Sequence, residues 1–188
     1  MINSEGKTFQ SEDFSEKSFE NSSFTNCIFQ GCSFSKSLLR NAKFCFCTFN
    51  KCNFSLLKLD GCRLQEVQFV DSKIVGADFF KCEKTFFSAS FKNSVLQYCN
   101  FSDLNMKSTT FSGSWLKENY FTNTCLKSAD FSQTDLSGTT FHSCDLSKAD
   151  FSTARHYDIN PQSNKIQKAK FSFPEAASLL KGFDITIV

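Results

Sequence analysis

Residues 129–151 read ADFSQTDLSGTTFHSCDLSKADF, with a large apolar residue at every fifth position. A strand places alternate residues on one face, so side chains five apart point to opposite faces. A helix turns about 100° per residue, so steps of five spread side chains around its axis. Because neither period explains the stretch, it predicts a chain that turns a corner after each pentapeptide.

The fivefold spacing extends over most of the 188 residues. An apolar repeat centre stands at every fifth residue from Phe9 to Phe79, and the spacing resumes two residues late, from Phe86 to Phe151. The position two before each centre is mostly small, and the other three positions are largely polar. One large and one small inward side chain per five residues fits a chain that turns a corner every pentapeptide.

This pattern resembles that of the pentapeptide-repeat family, A(D/N)LXX, and ADF at 129–131 and 149–151 is close to that consensus. The resemblance covers about residues 7–155. It implies an all-β solenoid, a right-handed quadrilateral β-helix with four pentapeptides per coil. Residues twenty apart in the sequence would then stack on one another. The spacing shifts by two residues near 80–85, and we call this shift the slip. If the slip is a two-residue bulge in one corner, one column contains only phenylalanine: Phe9, Phe29, Phe49, Phe69, Phe91, Phe111, Phe131 and Phe151.

We therefore expect two parts, a β-helix over residues 1–155 and a C-terminal segment over 156–188. In the second part, Pro174 and Glu175 suit the start of a short helix that Gly182 can end. The last six residues, FDITIV, read as a short strand. A solenoid end needs a cap, and the segment can cap its own rod or pair with a second chain. A homodimer would use Leu179, Leu180, Phe183 and Ile185.

Composition argues against several function classes. The chain has 21 basic and 19 acidic residues, a formal net charge of +2, so no basic excess indicates nucleic-acid binding. The N-terminus lacks the apolar region of a signal peptide, and we expect reduced cysteines and a cytoplasmic location. The ten cysteines lack close metal-ligand spacing, and neither His142 nor His156 lies in a nucleophile motif. We predict no enzymatic activity, no catalytic residue, no cofactor and no bound metal.

Partner binding would use the outward residues and the bulge. Three aspartates lie between Lys127 and Lys148 with no basic residue among them, although an Asp before the centre is also part of the repeat consensus. Loops that leave a rigid scaffold often carry function, so the bulge is a second candidate. The candidate partner-binding residues are Asp130, Asp135, Asp145, Asp150, Lys81 and Glu83.

The C-terminal ending is similar to those of the Qnr, MfpA and microcin-immunity group of gyrase-interacting proteins. That resemblance implies a bacterial cytoplasmic protein, a two-fold dimer that binds DNA gyrase or topoisomerase IV without touching nucleic acid or membrane. Such a dimer would imitate duplex DNA in shape and charge, and would protect the enzyme against quinolones or a toxin. The alternative is a scaffold or effector with another protein partner. A continuous negative stripe would favour mimicry, and a patchwork of charges would favour the alternative.

Overall fold

The computed structural model describes residues 1–183 and residue 185. The chain is a parallel β-solenoid of about seven coils, as the sequence predicts. The described residues form short strands: β1 Asn3–Glu5, β2 Thr8–Gln10, β3 Ser23–Thr25, β4 Ile28–Gln30, β5 Lys43–Cys45, β6 Thr48–Asn50, β7 Asn53–Ser55, β8 Arg63–Gln65, β9 Val67–Val70, β10 Lys73–Val75, β11 Ala89–Lys92, β12 Val95–Gln97, β13 Trp115–Lys117, β14 Tyr120–Thr122 and β15 Thr140–His142.

Coils stack in register, so four faces run along the rod. Face 1 is the sheet β2-β4-β6-β9-β11, and face 2 is β7-β10-β12-β13. Face 3 contains the pair β14-β15, and face 4 is the sheet β1-β3-β5-β8. All strand pairs are parallel, and partners in regular coils are twenty residues apart, as Phe9 and Phe29 are.

The interior is built from the repeat centres. On face 1, consecutive Phe rings stack with centroids 4.7–5.3 Å apart, from Phe9 to Phe151 and on to Phe171. Offset aromatic contacts of this kind stabilise beyond area burial, by about 0.5–1.5 kcal/mol a pair. Coil-to-coil pairing also joins Asp150 to Lys170, so stacking continues beyond residue 155, where the sequence pattern fades.

The small position two before each centre faces inward and bonds the coil before it. The Ser72 hydroxyl donates to the carbonyl of Phe49 at 3.2 Å, and the Cys47 thiol donates to that of Phe24 at 3.4 Å. Burial raises the pKa of Cys47, Cys52 and Cys99 to about 12. These thiols are therefore protonated at neutral pH, and they act as small core residues.

Corners adopt the left-handed conformation. The second residue after nearly every centre has a φ near +55°, from Gly6 to Gly76 and again from Asn93 to Lys148. Asn, Asp and Gly tolerate this conformation, whereas a bulky side chain in it costs roughly 1–2 kcal/mol. The sequence accordingly places Gly or Asn at many of these corner positions.

The slip near 80–85 is distributed over two corners. Residues Phe79–Lys81 and Lys84–Phe86 form 3-10 turns, and Phe87 is the buried residue, 7% exposed, whereas Phe86 is 42% exposed. The expectation of a repeat centre at Phe86 is therefore wrong by one residue. The step from Phe79 to the next inward centre is eight residues long, and the step from Phe87 to Phe91 is four. The two changes together produce the twenty-two-residue pairing of Phe69 with Phe91.

The C-terminal segment ends in a 3-10 helix over Glu175–Phe183. Leu179 packs against the core, whereas Leu180, Phe183 and Ile185 are 40%, 49% and 54% exposed. The strand predicted at 183–188 falls largely on residues that the structure does not describe. No helix among the described residues is long and apolar enough to cross a membrane.

Candidate interaction surfaces

The predicted acidic residues lie on three different faces. Asp130 and Asp150 are on face 1, Asp135 is on face 2 and Asp145 is on face 4, each directly before its repeat centre. Each carboxylate accepts a hydrogen bond from the backbone N–H two residues later, at 2.9–3.0 Å. These aspartates therefore support the turn that follows them, and they do not form one stripe.

Side chains of the next coil stand beside two of these aspartates. Lys170 lies 3.0 Å from Asp150, and His156 lies 3.1 Å from Asp135. The hydroxyl of Ser152 and the ammonium of Lys170 lower the pKa of Asp150, and the hydroxyl of Ser147 does the same for Asp145.

Opposite charges twenty residues apart recur along the rod. Glu16 pairs with Lys36 at 3.2 Å, and Glu20 pairs with Arg40 at 3.7 Å. Such exposed pairs contribute about 0–1 kcal/mol each to stability. Their larger consequence is electrostatic, because in each of these pairs a charge in one coil is balanced by the next coil.

The charged residues of the slip are also paired within the rod. The Glu83 carboxylate accepts two bonds from the Arg63 guanidinium, at 2.9 and 3.1 Å, and raises the pKa of Arg63. That guanidinium also lies 4.2 Å from the centre of the exposed Phe86 ring. Lys81 binds Asp78 at 2.8 Å. Lys81 and Glu83, both predicted to bind a partner, therefore hold the distorted coil in place.

Sequence reasoning missed a cluster of exposed aromatic residues around face 2. Trp115, the only tryptophan, is 67% exposed, and it lies beside Val95 in the neighbouring coil. Leu56 and Tyr98 are on the corner between faces 2 and 3, and Tyr120 is on face 3 one coil beyond Asn100. We call Leu56, Tyr98, Trp115 and Tyr120 the aromatic surface.

A notch divides this surface along the corner. Gly76 occupies the same corner in the coil between those of Leu56 and Tyr98. The Leu56 N–H donates to the carbonyl of Val75, next to Gly76, and the Gly76 N–H donates to the carbonyl of Gln97, next to Tyr98. A Cβ at Gly76 would lie 3.3 Å from the Leu56 Cδ2 atom. The absent side chain leaves a cavity of about 90 Å³ that reaches Lys58.

Large apolar residues stand at corners where about half of their surface stays exposed. Leu56 has a φ of 57° and Tyr98 a φ of 55°, and they are 57% and 50% exposed. Left-handed backbone is the regular corner conformation of this rod, but it is less favourable for a bulky residue than for Gly or Asn, so Leu56 and Tyr98 stand there at a cost in stability. The signal was present in the sequence as bulky residues outside the repeat centres.

No group of three or more His, Cys, Asp or Glu side chains in the described part of the chain is placed to hold a metal ion.

The model of a family described as pentapeptide repeats matches eight copies, over residues 9–41, 37–74, 86–118 and 120–152. The chain belongs to the pentapeptide-repeat family. The matched segments leave out 75–85, where the slip begins.

Solved pentapeptide-repeat structures are distantly similar. A trypsin-treated form of QnrB1, a plasmid-mediated fluoroquinolone resistance protein, is 22% identical, with 99% of this chain and 91% of that chain covered and a TM-score of 0.45. HetL, a pentapeptide repeat protein involved in heterocyst differentiation regulation from the cyanobacterium Nostoc, is 15% identical, with 89% and 87% covered and a TM-score of 0.39. These likenesses are too distant to bear on function. No curated protein matches the chain.

Proposed function

We propose that this pentapeptide-repeat protein is a non-enzymatic binding module that docks a protein partner on its aromatic surface. The observation that carries the proposal is the exposure of Trp115 on face 2 and of Tyr98 and Leu56 at the corner that follows this face, where a bulky residue is unfavourable. Trp and Tyr dominate the energetics of protein interfaces. Exposed apolar residues grouped on one side of a folded surface are a candidate interaction site.

A protein fits this surface better than a nucleic acid does. Nucleic-acid binding depends on a basic stripe that displaces counterions from phosphates. Here the net charge is +2, and Glu–Lys, Glu–Arg and Asp–Lys pairs balance charge from coil to coil. An apolar centre with scattered charges around it is the usual anatomy of a protein–protein interface.

Site-specific photo-crosslinking tests this proposal. A photoreactive residue replacing Tyr98 in cells should capture a protein that one replacing Phe46, on the opposite corner of the rod, does not. The captured protein is then purified and its affinity measured. Tyr98→Asn should weaken binding by about tenfold or more, and Phe46→Asn should leave it unchanged. Equal affinity for both variants would place the interface elsewhere.

A finer proposal names the partner as a bacterial type II topoisomerase, DNA gyrase or topoisomerase IV. It rests on the family resemblance of the C-terminal ending and on the exposed apolar residues Leu180, Phe183 and Ile185, which would join two rods end to end. The proposed role is protection of the enzyme against quinolones or a toxin. The coil-to-coil ion pairs argue against the DNA-mimic part of this proposal, because duplex DNA carries an unbroken negative charge.

Supercoiling by purified gyrase in the presence of a quinolone tests the finer proposal alone. Topoisomerase binding predicts restored supercoiling when the protein is added at micromolar concentration. An unchanged level of inhibition would reject the topoisomerase while leaving the aromatic surface open to another partner.

A further inference from the structure

We propose that the cleft left by the register slip binds a neutral saccharide ring. This site lies on the corner between faces 4 and 1, on the opposite side of the rod from the aromatic surface, and it goes beyond the protein-docking proposal. Its lining includes Phe46, Glu66, Gln68, Ser90, Lys107 and Thr110. Hereafter it is called the slip cleft.

The cleft exists because one coil lacks a corner residue. Regular coils place Phe46, Glu66 and Ser108 at this corner with positive φ. The shortened step from Phe87 to Phe91 puts Ser88 and Ala89 there, and residues 77–92 contain no positive φ. The missing corner opens a cleft of about 300 Å³ between Glu66 and Ser108, at the lower end of the range for small-molecule sites.

The slip also interrupts the hydrogen-bond ladder at the floor of the cleft. In regular coils, the backbone N–H of the residue before each face 1 centre donates to a carbonyl of the preceding coil. The Asp130 N–H, for example, donates to the Thr109 carbonyl at 2.9 Å. No backbone hydrogen bond joins residues 82–90 to residues 103–110, all of which the structure describes. The Thr110 N–H and the Ala89 carbonyl are thus a donor and an acceptor without a backbone partner beside the cleft, and groups of this kind require partners.

Electrostatics decides the charge of the ligand. Glu66 and Lys107 both line the cleft, but no ion pair within 4 Å joins either of them to another described side chain. One carboxylate and one ammonium leave the cleft with no net charge, so neither a phosphate nor a cation is favoured. A neutral ligand with many polar groups can bond to both.

The remaining lining selects hydroxyl groups. A hydroxyl both donates and accepts, so it can bond a carbonyl, an N–H, the Gln68 amide and the Ser90 and Thr110 hydroxyls. Phe46 adds an aromatic wall, since its side chain is 47% exposed at a φ of 56°. A flat ring with hydroxyls at its edge and C–H groups on its face matches both kinds of surface.

Saturation-transfer NMR on the full chain tests this inference, with glucose, galactose, mannose and N-acetylglucosamine as probes. At least one sugar should receive saturation at its ring protons. Phe46→Asn should weaken that binding by about tenfold or more, and Leu56→Asn, at an equivalent corner outside the cleft, should not change it. Asn already occupies other corners with the same backbone, so both variants are expected to fold, and thermal melts verify it.

Three results would overturn the inference. The first is the absence of transfer to all four sugars up to about 10 mM. The second is transfer that Phe46→Asn leaves intact. The third is binding of inorganic phosphate or glycine with the same dependence on Phe46, because it would show that the cleft selects charge.

Discussion

At the scale of single residues, bulky side chains at left-handed corners should lower the free energy of unfolding. Phe46 and Leu56 have left-handed backbone and large exposed side chains. Replacing either with Asn, which adopts this conformation readily, should stabilise the fold by about 1 kcal/mol. For a chain of this size that corresponds to a melting temperature about 2–4 °C higher.

Thermal denaturation of Phe46→Asn and Leu56→Asn against the parent chain measures this effect. A control substitution, Asn41→Ala, removes a residue suited to the same conformation and should lower the melting temperature. A decrease for Phe46→Asn or Leu56→Asn would mean that these side chains stabilise the rod by packing, and it would remove the strain argument for a binding role.

Aspartates before the centres should make stability sensitive to acid. Asp145 and Asp150 have a lowered pKa in the folded chain, because Ser147, Ser152 and nearby lysines favour the charged form. A carboxyl whose pKa is lowered by folding stabilises above its unfolded pKa, about 3.9, and loses that contribution as pH falls below it. The loss should therefore occur below about pH 4.

Melting temperatures at pH 7 and pH 3 measure this loss. The double variant Asp145→Asn/Asp150→Asn should show a smaller drop between the two values than the parent chain. Glu5→Gln/Glu12→Gln, which changes two exposed carboxylates of the first coil, serves as the control. An equal drop in all three proteins would show that the corner hydrogen bonds contribute nothing to acid sensitivity.

At the scale of elements, the slip decides which of two adjacent phenylalanines is core. Phe87 is buried against Phe79, with ring centroids 6.2 Å apart, whereas Phe86 lies outside on Arg63. Phe87→Ala should destabilise by about 3–5 kcal/mol, the usual cost of truncating a buried Phe. Phe86→Ala should cost under about 1 kcal/mol, because it removes one exposed cation–π contact.

Urea denaturation of the two variants measures both free energies of unfolding. A larger loss for Phe86→Ala than for Phe87→Ala would reverse the register that the structure assigns to this coil. The slip cleft would then need a different geometry, because its floor depends on Phe87, Ala89 and Phe91 facing inward.

Much of the fold could be predicted from the repeat, but the register of the chain within the slip could not. The stack of Phe69 on Phe91 follows from counting, because only a net shift of two residues preserves the column. The division of that shift between a long step and a short step could not be predicted. Phe86 and Phe87 have identical side chains, and only the packing of the distorted coil selects between them.

Candidate sites were less predictable than the core for the same reason. A repeat gives every outward position a similar appearance, so the sequence shows the charge of Asp150 but not that Lys170, one coil away, pairs with it. Trp115, Tyr98 and Leu56 interrupt the outward polar pattern, and they could have been recognised as bulky residues at positions that point away from the core.

At the scale of the whole molecule, the exposed apolar end predicts self-association. We expect a homodimer, because Leu180, Phe183 and Ile185 remain exposed at the end of the rod while Leu179 covers the last coil. Light scattering after size exclusion should give twice the 21.3 kDa chain mass. Phe183→Asp should give a monomer, and Tyr98→Asn should stay dimeric. A monomeric parent chain would reject both the dimer and the end-to-end rod.

The central claim is that the aromatic surface is where a protein partner binds. Because Trp115 is the only tryptophan, a chain containing 5-fluorotryptophan gives one fluorine resonance, and that resonance reports on this surface alone. Titration with the purified, unlabelled partner identified by crosslinking should shift or broaden it in proportion to complex formation. An unchanged resonance, while size exclusion shows the complex fully formed, would contradict the account.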